Sequence, residues 1–285
     1  MEHDGAVPPG IDVTRPSVAR VYDYLLGGKS NFAADRELGD VFRTRFPGAD
    51  VIAQDNRRAL ARAVSAIARA GVRQFIDIGS GLPSADNVHQ IAQRHSPGAR
   101  VVYVDNDPVV LAHGQALLEE NADTAVVSGD LRDPATLHAH PVTRSLIDFD
   151  RPVGLILSAI LHHLQDAEDP AAVMRFWRGV LPEGSYVFIS HFRSREDAES
   201  AQLQAVLQGS LGRGRWRTDA EIRRLFEGLR VLPPGIVPSA RWRPDAPPGG
   251  DLTLWQHLIV AGLATTGAGD ETGGGTGDGT RTGAG

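Results

Sequence analysis

Three short strings carry the residues whose types and spacing suit small-molecule chemistry. The first is Phe75-Ile76-Asp77-Ile78-Gly79-Ser80-Gly81-Leu82-Pro83, an apolar run that ends in an acid and then a Gly-x-Gly turn. Glycines at the carboxyl end of a strand let the backbone pass close to a ligand, and a following helix N-terminus offers N–H donors to a carboxylate or phosphate. Taken alone, the string reads equally well as a tight strand-to-helix turn. The second, Val101-Val102-Tyr103-Val104-Asp105, again ends in an acid, where a carboxylate can accept two hydrogen bonds from a ribose diol. The third, Val126-Val127-Ser128-Gly129-Asp130-Leu131, places the Asp130 carboxylate beside the Leu131 N–H, a pair that matches the N6 amino donor and N1 acceptor of adenine. By itself Gly129-Asp130 is an ordinary turn. The three together indicate an adenosine-containing ligand, with S-adenosylmethionine (SAM), NAD and FAD all open.

The bases and covers are less marked. His162 and His163 follow the apolar run 153–157, at the strand edge where open α/β sheets place ligands. Either could act as general base on an acceptor hydroxyl or amine; capping or packing is the plain structural alternative. Because adjacent side chains diverge, one of the two at most is expected to face a pocket. His191 is a second candidate. Tyr22 and Tyr24, with Lys29 and Asn31, could cover a ligand from the N-terminal helices, or simply pack, with Gly27-Gly28 as a helix C-cap. No His/Asp/Glu spacing resembles a metal-binding helix face, so no metal is expected.

These residues need elements to hold them. Apolar, β-branched runs at 74–78, 100–104, 125–127, 153–157 and 186–190 alternate with helix-length segments, the pattern of crossover connections and a parallel sheet buried on both faces. Ahead of them, helical spacing covers 17–26, 34–45 and 50–70, an N-terminal helical cap over residues 12–71. After a helix near 219–228, strands at 229–232 and 252–260 are joined by a Pro-rich stretch and form an antiparallel pair at one sheet edge. The fold class is α/β, Rossmann-like, with residues 72–263 as the ligand-binding domain. Residues 1–11 are Pro/Gly-rich and expected to be flexible; residues 264–285 are Gly/Thr-rich with no large aliphatic side chain and are expected to be disordered.

Composition narrows the partners. The 285-residue chain is 41% hydrophobic and 22% charged, ordinary values for a globular protein with a sizeable core. Its net charge is −6 and no long Lys/Arg run appears, which argues against nucleic acid; Arg57-Arg58 and Arg223-Arg224 read as decoration of solvated helix faces. No apolar run reaches 18 residues and no secretory signal opens the chain, so neither membrane nor export is expected. Cysteine is absent, which removes disulfides, thiolate metal sites and a Cys nucleophile and fits a reducing cytoplasmic setting.

Asp-x-Gly-x-Gly after strand one, Val-Asp after strand two, Gly-Asp-Leu-x-Asp after strand three and Leu-His-His-Leu after strand four resemble the class I SAM-dependent methyltransferases. More narrowly, the string from Arg20 through Val21-Tyr22-Asp23-Tyr24-Leu25-Leu26-Gly27-Gly28 to Lys29, then Asn31-Phe32-Ala33, Val102 to His113 and Arg241-Trp242-Arg243-Pro244 resemble an actinobacterial S-adenosyl methyltransferase family, over roughly residues 12–263. The resemblance implies a mostly parallel seven-stranded sheet with an antiparallel edge strand, SAM as cofactor and methyl transfer to a small-molecule acceptor that it does not name. It also implies that Asp77, Gly79, Ser80 and Gly81 approach the methionine half of SAM and Asp105 the ribose. Asn106 would lie against the adenine plane, Asp130 and Leu131 at its edge, and Tyr22 over the cofactor. The third glycine of the longer glycine motif is missing, with Pro83 and Ser84 in its place, which also counts against a dinucleotide pyrophosphate. An NAD-dependent oxidoreductase and a catalytically silent SAM-binding regulator are the rival readings.

Overall fold

The computed structural model describes residues 12–267 apart from residue 85, residues 119–121 and residues 247–248. The segment 1–11 and everything beyond 267 lie outside the described residues, and with them most of the two terminal segments expected above.

Three helices open the chain: α1 (Val18–Leu25), α2 (Ala33–Arg45) and α3 (Ala49–Arg69). Ser17 caps α1 by accepting from the Arg20 N–H. Asp35 then ties α1 to α2: its carboxylate accepts from the Ser17 N–H at 3.0 Å, the Phe32 N–H at 2.8 Å and Arg20 Nε at 2.8 Å. Both members of the ion pair are buried, so removing either would strand a charge at a cost of about 3–5 kcal/mol. The Ala-rich α3 buries Ala59, Leu60, Ala63, Val64 and Ile67 at helical spacing against Phe75, Ile156 and Phe188 of the sheet. It therefore belongs to the sheet's helical layer as much as to the cap.

The alternating part follows as β1 (Gln74–Ile78), α4 (Val88–His95), β2 (Arg100–Asp105), α5 (Pro108–Leu118), β3 (Thr124–Ser128), α6 (Pro134–Ala139), α7 (Pro141–Leu146), β4 (Gly154–Ser158), α8 (Pro170–Val180) and β5 (Tyr186–Phe192). Then come α9 (Ala198–Leu211), α10 (Asp219–Arg224), β6 (Arg230–Val231), β7 (Val237–Pro238) and β8 (Ile259–Thr265). The sheet runs β3-β2-β1-β4-β5-β8-β6, with β7 paired to β8 off this path. Strands β1 to β5 pair in parallel; β8 pairs antiparallel with β5, β6 and β7. Alternate residues serve opposite faces, Ile76 and Leu155 toward α6, α7, α8 and α10, Phe75 and Ile156 toward α3 and α4. Strand order reverses between β1 and β4, and at such a switch point a crevice opens beyond the carboxyl ends of the strands.

The fold class stands as expected, and three details differ. The sheet has eight strands, because β7 lies within the Pro-rich stretch. The last long strand is 259–265, not 252–260: Leu252 and Leu254 have strand-like composition, but the chain there turns so that Trp255 packs on Phe46 at 6.0 Å and over Gly48. The true strand was obscured by its small residues. Gly262 is small because a Cβ there would sit 2.9 Å from the Phe226 ring. Finally, the tail boundary at 264 falls inside β8: Ala264 and Thr265 are buried ladder residues, and Thr265 Oγ1 donates to the Ser185 carbonyl at 2.8 Å.

Candidate functional site

A cavity of about 370 Å³ opens at the switch point and runs from the ends of β1, β2 and β3 under the N-terminal helices to α9. Asp77, Gly79, Ser80, Gly81, Asp105, Asn106, Asp130, Leu131, Tyr22, His162 and His163 all border it. Residues as far apart in sequence as Tyr22 and His163 are thus brought to one space.

The glycine turn explains its own residues. Gly79 and Gly81 adopt φ of 71° and 66°, left-handed values that cost other residues energy. At Gly79 a Cβ would also lie 2.4 Å from the Ile160 side chain. The Gly79 and Ser80 N–H groups donate to the Val104 carbonyl, at 2.8 and 3.2 Å, which folds the turn back over the end of β2. One expectation fails here: α4 begins only at Val88, capped by Asn87, so no helix N-terminus follows the turn directly. Pro83 and Ser84, where the longer motif has its third glycine, lie in that intervening loop.

Asp105 is held by backbone. Oδ1 accepts from the Asn106 and Asp107 N–H groups at 2.8 and 2.9 Å, and Oδ2 from the Gly81 N–H at 2.9 Å. A carboxylate has about four lone-pair sites, so three are taken and one, on Oδ2, remains for a ligand. Burial nevertheless raises its pKa, partly offset by those donors. Asp107 caps α5, accepting from the Val109 N–H at 2.8 Å.

Asp77 differs. It is 3% exposed and its carboxylate makes no hydrogen bond among the described residues, and burial raises its pKa to about 7 against the opposing pull of Arg57. Arg57 also lines the cavity and donates to Ser84 Oγ and to the Asp86 carbonyl, both at 2.6 Å. The sequence reading of Arg57 as surface decoration therefore fails, while Arg58, 64% exposed, fits it. Tyr22 donates to the Ala53 carbonyl at 3.1 Å and accepts from Asn56 Nδ2 at 3.0 Å; burial raises its pKa. Tyr24 bonds Asp40 instead, Asn31 bonds Asp23, and neither they nor Lys29 border the cavity. Asp130 forms a fork with Arg132, whose hydrogen bonds lower its pKa, and Arg132 reaches on to Glu168 at 3.0 Å. The neighbouring Leu131 N–H has no partner among the described residues.

The histidines break the expectation that one at most faces the pocket. In the 3₁₀ turn Leu161–His163 the two rings lie 4.4 Å apart and both border the cavity. His162 is 5% exposed; Nδ1 of each ring is buried with no hydrogen-bond partner. Burial holds His162 well below the usual imidazole range and His163 at about 4, so both are neutral at pH 7. His191 is not a cavity residue: it is fully buried, with Nδ1 donating to the Phe192 carbonyl at 2.6 Å and Nε2 accepting from Arg217 at 3.1 Å.

Sequence reading missed the rest of the wall. Phe42, Phe46 and Ile52 come from the cap, Phe192 from β5, Leu207 and Leu211 from α9, and Trp216 from the loop after it. Phe42 and Ile52 lie in segments expected only as helices, while Phe46, Phe192, the whole of α9 and Trp216 fall outside the elements expected from the sequence. Asn56, Ser158 and Ser190 form a polar chain beside Tyr22, with Ser190 Oγ donating to Asn56 Oδ1 at 2.6 Å. Ala159, next along, is held at φ 54° by its N–H bonds to Ser190, a strained position of the kind that clusters at functional sites. Among the described residues no group of three or more His, Cys, Asp or Glu could hold a metal ion, and no helix is long and apolar enough to cross a membrane.

The fold, the switch-point cavity and the acid-bearing strand ends define a class I methyltransferase arrangement. Residues 4–267 match the model of the S-adenosyl methyltransferase family, and the chain belongs to that family: it is a SAM-dependent methyltransferase. It is similar to a crystal structure from Thermobifida fusca YX, provisionally assigned as a methyltransferase, at 42% identity over 93% of this chain and 100% of that one, with a TM-score of 0.89. A DUF574 family protein of Streptomyces avermitilis MA-4680 matches at 37% identity over 90% and 99%, with a TM-score of 0.85. An O-methyltransferase family protein of Burkholderia thailandensis shares the fold at 13% identity, over 82% and 71%, with a TM-score of 0.50. No curated protein matches the sequence. Family membership leaves the nicotinamide and silent-regulator alternatives without support.

Proposed function

We propose that the sheet-edge half of the cavity holds SAM and that the half roofed by α1, α2 and α9 holds a small-molecule methyl acceptor. The observation that carries this is the continuity of the cavity, which joins Asp77, Gly79, Asp105 and Leu131 to an apolar chamber without a wall between them.

The residues at the sheet edge fit the cofactor. Asp77 is a buried carboxylate lacking a partner, the natural counterpart of the ammonium on the methionine half. Gly79 and Gly81 allow the chain to pass close by, with Ser80 between them. Asp105 offers its remaining lone pair to a ribose hydroxyl, so one strong bond is expected there and not two. The unpaired Leu131 N–H suits adenine N1, and Asp130 can meet the N6 amino group only by sharing its carboxylate with Arg132. Asn106 borders the base, and Tyr22 closes the top.

Methyl transfer from a sulfonium asks little covalent help of the protein. Bound SAM would supply an electrophilic methyl carbon whose leaving group is a neutral thioether. The protein's part is to align the acceptor and exclude water, which the apolar roof does. His162 or His163, neutral and facing the chamber, receives the proton that the acceptor loses and passes it to solvent. As bases of low pKa they assist weakly, and most of the acceleration is assigned to positioning.

Calorimetric titration with SAM and, separately, NAD tests the cofactor assignment: SAM binding is expected, and binding of NAD alone would overturn it. Release of S-adenosylhomocysteine in a screen of small molecules tests the transfer.

A further inference from the structure

The acceptor chamber is more selective than its size suggests. Phe42, Phe46, Ile52, Phe192, Leu207 and Trp216 give it aromatic and aliphatic walls. Phe192 and Trp216 lie parallel, 5.0 Å apart and 7° from coplanar, and the His162 ring stands edge-on to Phe192 at 4.8 Å. Flat aromatic ligands suit such walls by stacking and edge contacts.

Carboxylates are confined to the other half. The acids bordering the cavity are Asp77 and Asp105, at the ends of β1 and β2, and Asp107 and Asp130, two residues past β2 and β3. A cationic acceptor therefore finds no counter-charge in the chamber. Arg213 borders the cavity near His163, but it is 41% exposed and lies 3.5 Å from Glu168, so water and that carboxylate screen its attraction for an anionic acceptor. A neutral molecule is what remains.

Both imidazoles border this chamber: their Nδ1 atoms are closed off, while their Nε2 atoms, also without a hydrogen bond among the described residues, are the ring nitrogens left open to the cavity. A ligand that displaces water from such a nitrogen without pairing it loses roughly 1–3 kcal/mol, so one that pairs it is favoured. Both rings are neutral, and each can present either a bare nitrogen or an N–H. A hydroxyl donates one hydrogen bond and accepts others, so it can satisfy a bare nitrogen on one ring and an N–H on the other at once. A carboxylate cannot donate, and an ammonium cannot accept.

From these observations we infer that the methyl acceptor is a neutral, planar aromatic compound whose hydroxyl docks on His162 and His163. This rests on the division of the cavity proposed above. In the transfer the phenolic oxygen forms the new O–C bond, its proton passes to the imidazole nitrogen and then to water, and the sulfonium pair stays on sulfur. The product is an aryl methyl ether, and charge balances through the released proton.

Binding of four matched probes to the full-length protein, with and without S-adenosylhomocysteine, tests the inference independently of turnover. The probes are 2-naphthol, naphthalene, 2-naphthoate and 2-naphthylmethylammonium, followed by intrinsic tryptophan fluorescence. 2-Naphthol is expected to bind about tenfold tighter than each of the others, the worth of one or two satisfied buried groups. His162→Phe with His163→Phe is expected to remove that preference while leaving naphthalene binding in place. Tightest binding of the acid or the ammonium, equal binding of naphthol and naphthalene, or no binding of any probe at millimolar concentration would overturn the inference. The ranking in the parent protein decides the matter even if the double variant does not fold. Calorimetry with S-adenosylhomocysteine alone reports on the cofactor half, so its failure is distinguished from failure of the acceptor assignment.

Discussion

The two halves of the cavity are built in different ways. At the sheet edge the acids sit in the last two residues of β1 and β2 or two residues past β2 and β3, and the backbone itself restrains Asp105, which takes three N–H donors from its own and the neighbouring turn. The acceptor chamber has no such local frame. Its walls come from α1 to α3, the turn after β4, the end of β5, and α9 with its following loop, and its two imidazoles have no partner holding their ring nitrogens. A locally restrained sheet edge beside a chamber set by packing suits the division proposed above, a constant cofactor and a variable acceptor, since helical surfaces change by substitution without disturbing the sheet.

The comparison can be broken most severely at Asp105. Asp105→Ala removes the ribose acceptor and also leaves the Gly81, Asn106 and Asp107 N–H groups unpaired, so SAM affinity should fall more than tenfold and stability by about 2–4 kcal/mol. The stability cost comes from the three backbone bonds, which tie the ends of the turns after β1 and β2 to this one carboxylate. Asp107→Ala, losing only a helix cap, should cost about 1 kcal/mol with little effect on binding. Calorimetry and thermal melts on both variants separate the effects, and an Asp105→Ala protein that binds SAM like the parent would remove the cofactor seat drawn here.

Asp77 is the next largest. Its pKa in the folded protein is about 7 against 3.8 for the free group, so the folded state holds a proton that the unfolded state has lost between those values. Stability contributed by this group is therefore present below about pH 4 and declines as pH rises to about 7, by an amount on the order of 4 kcal/mol at most. Asp77→Asn should flatten that decline and be the more stable protein at pH 8. It should also weaken SAM several-fold, because the ionised carboxylate is the ammonium's counter-charge. In the parent, SAM affinity should rise with pH through about 7, with proton release visible as a dependence of the binding enthalpy on buffer. A pH-independent affinity would detach Asp77 from the ligand.

Tyr22→Phe lies at the boundary between the halves. It loses the bonds to Ala53 and Asn56 that hold α1 on α3, a stability cost of about 1 kcal/mol, and should weaken SAM about twofold. Tyr103→Phe makes a useful contrast, since Tyr103 pairs with His89 in the core and its loss should touch stability alone. Smallest on cofactor binding is Phe46→Leu: SAM affinity should stay within about twofold while 2-naphthol binding changes, and a large loss of SAM binding would mean that the two halves are not separable.

Much of the cavity's sheet edge was legible because the pattern is local. A parallel strand buried on both faces must be a continuous apolar run, and the acid or glycine at its end marks the crevice, so Asp77, Gly79, Gly81, Asp105 and Asp130, which all border the cavity, could be picked from three short strings. Legibility stopped where small or ambiguous residues hid an element. Ala261, Gly262 and Ala264 make β8 look like the start of a Gly/Ala tail, yet they are small because β8 lies between β5 and β6 with Phe226 and Ile236 against it.

What the sequence by itself determined is the class of fold, the alternation of strands with helix-length segments as far as β5, and the polar ends of β1, β2 and β3, all of which follow from period and composition within stretches of ten residues. Only tertiary structure decided that Arg57 turns inward, that His191 is tied up by Arg217 and Phe192, and that His162 and His163 face one space with unpaired nitrogens. The physical reason is that a side chain's partner, and hence its charge state and availability, is set by what the fold brings opposite to it. For the acceptor chamber those partners come from residues 18 to 259, a separation over which hydrophobic pattern specifies burial but not neighbour.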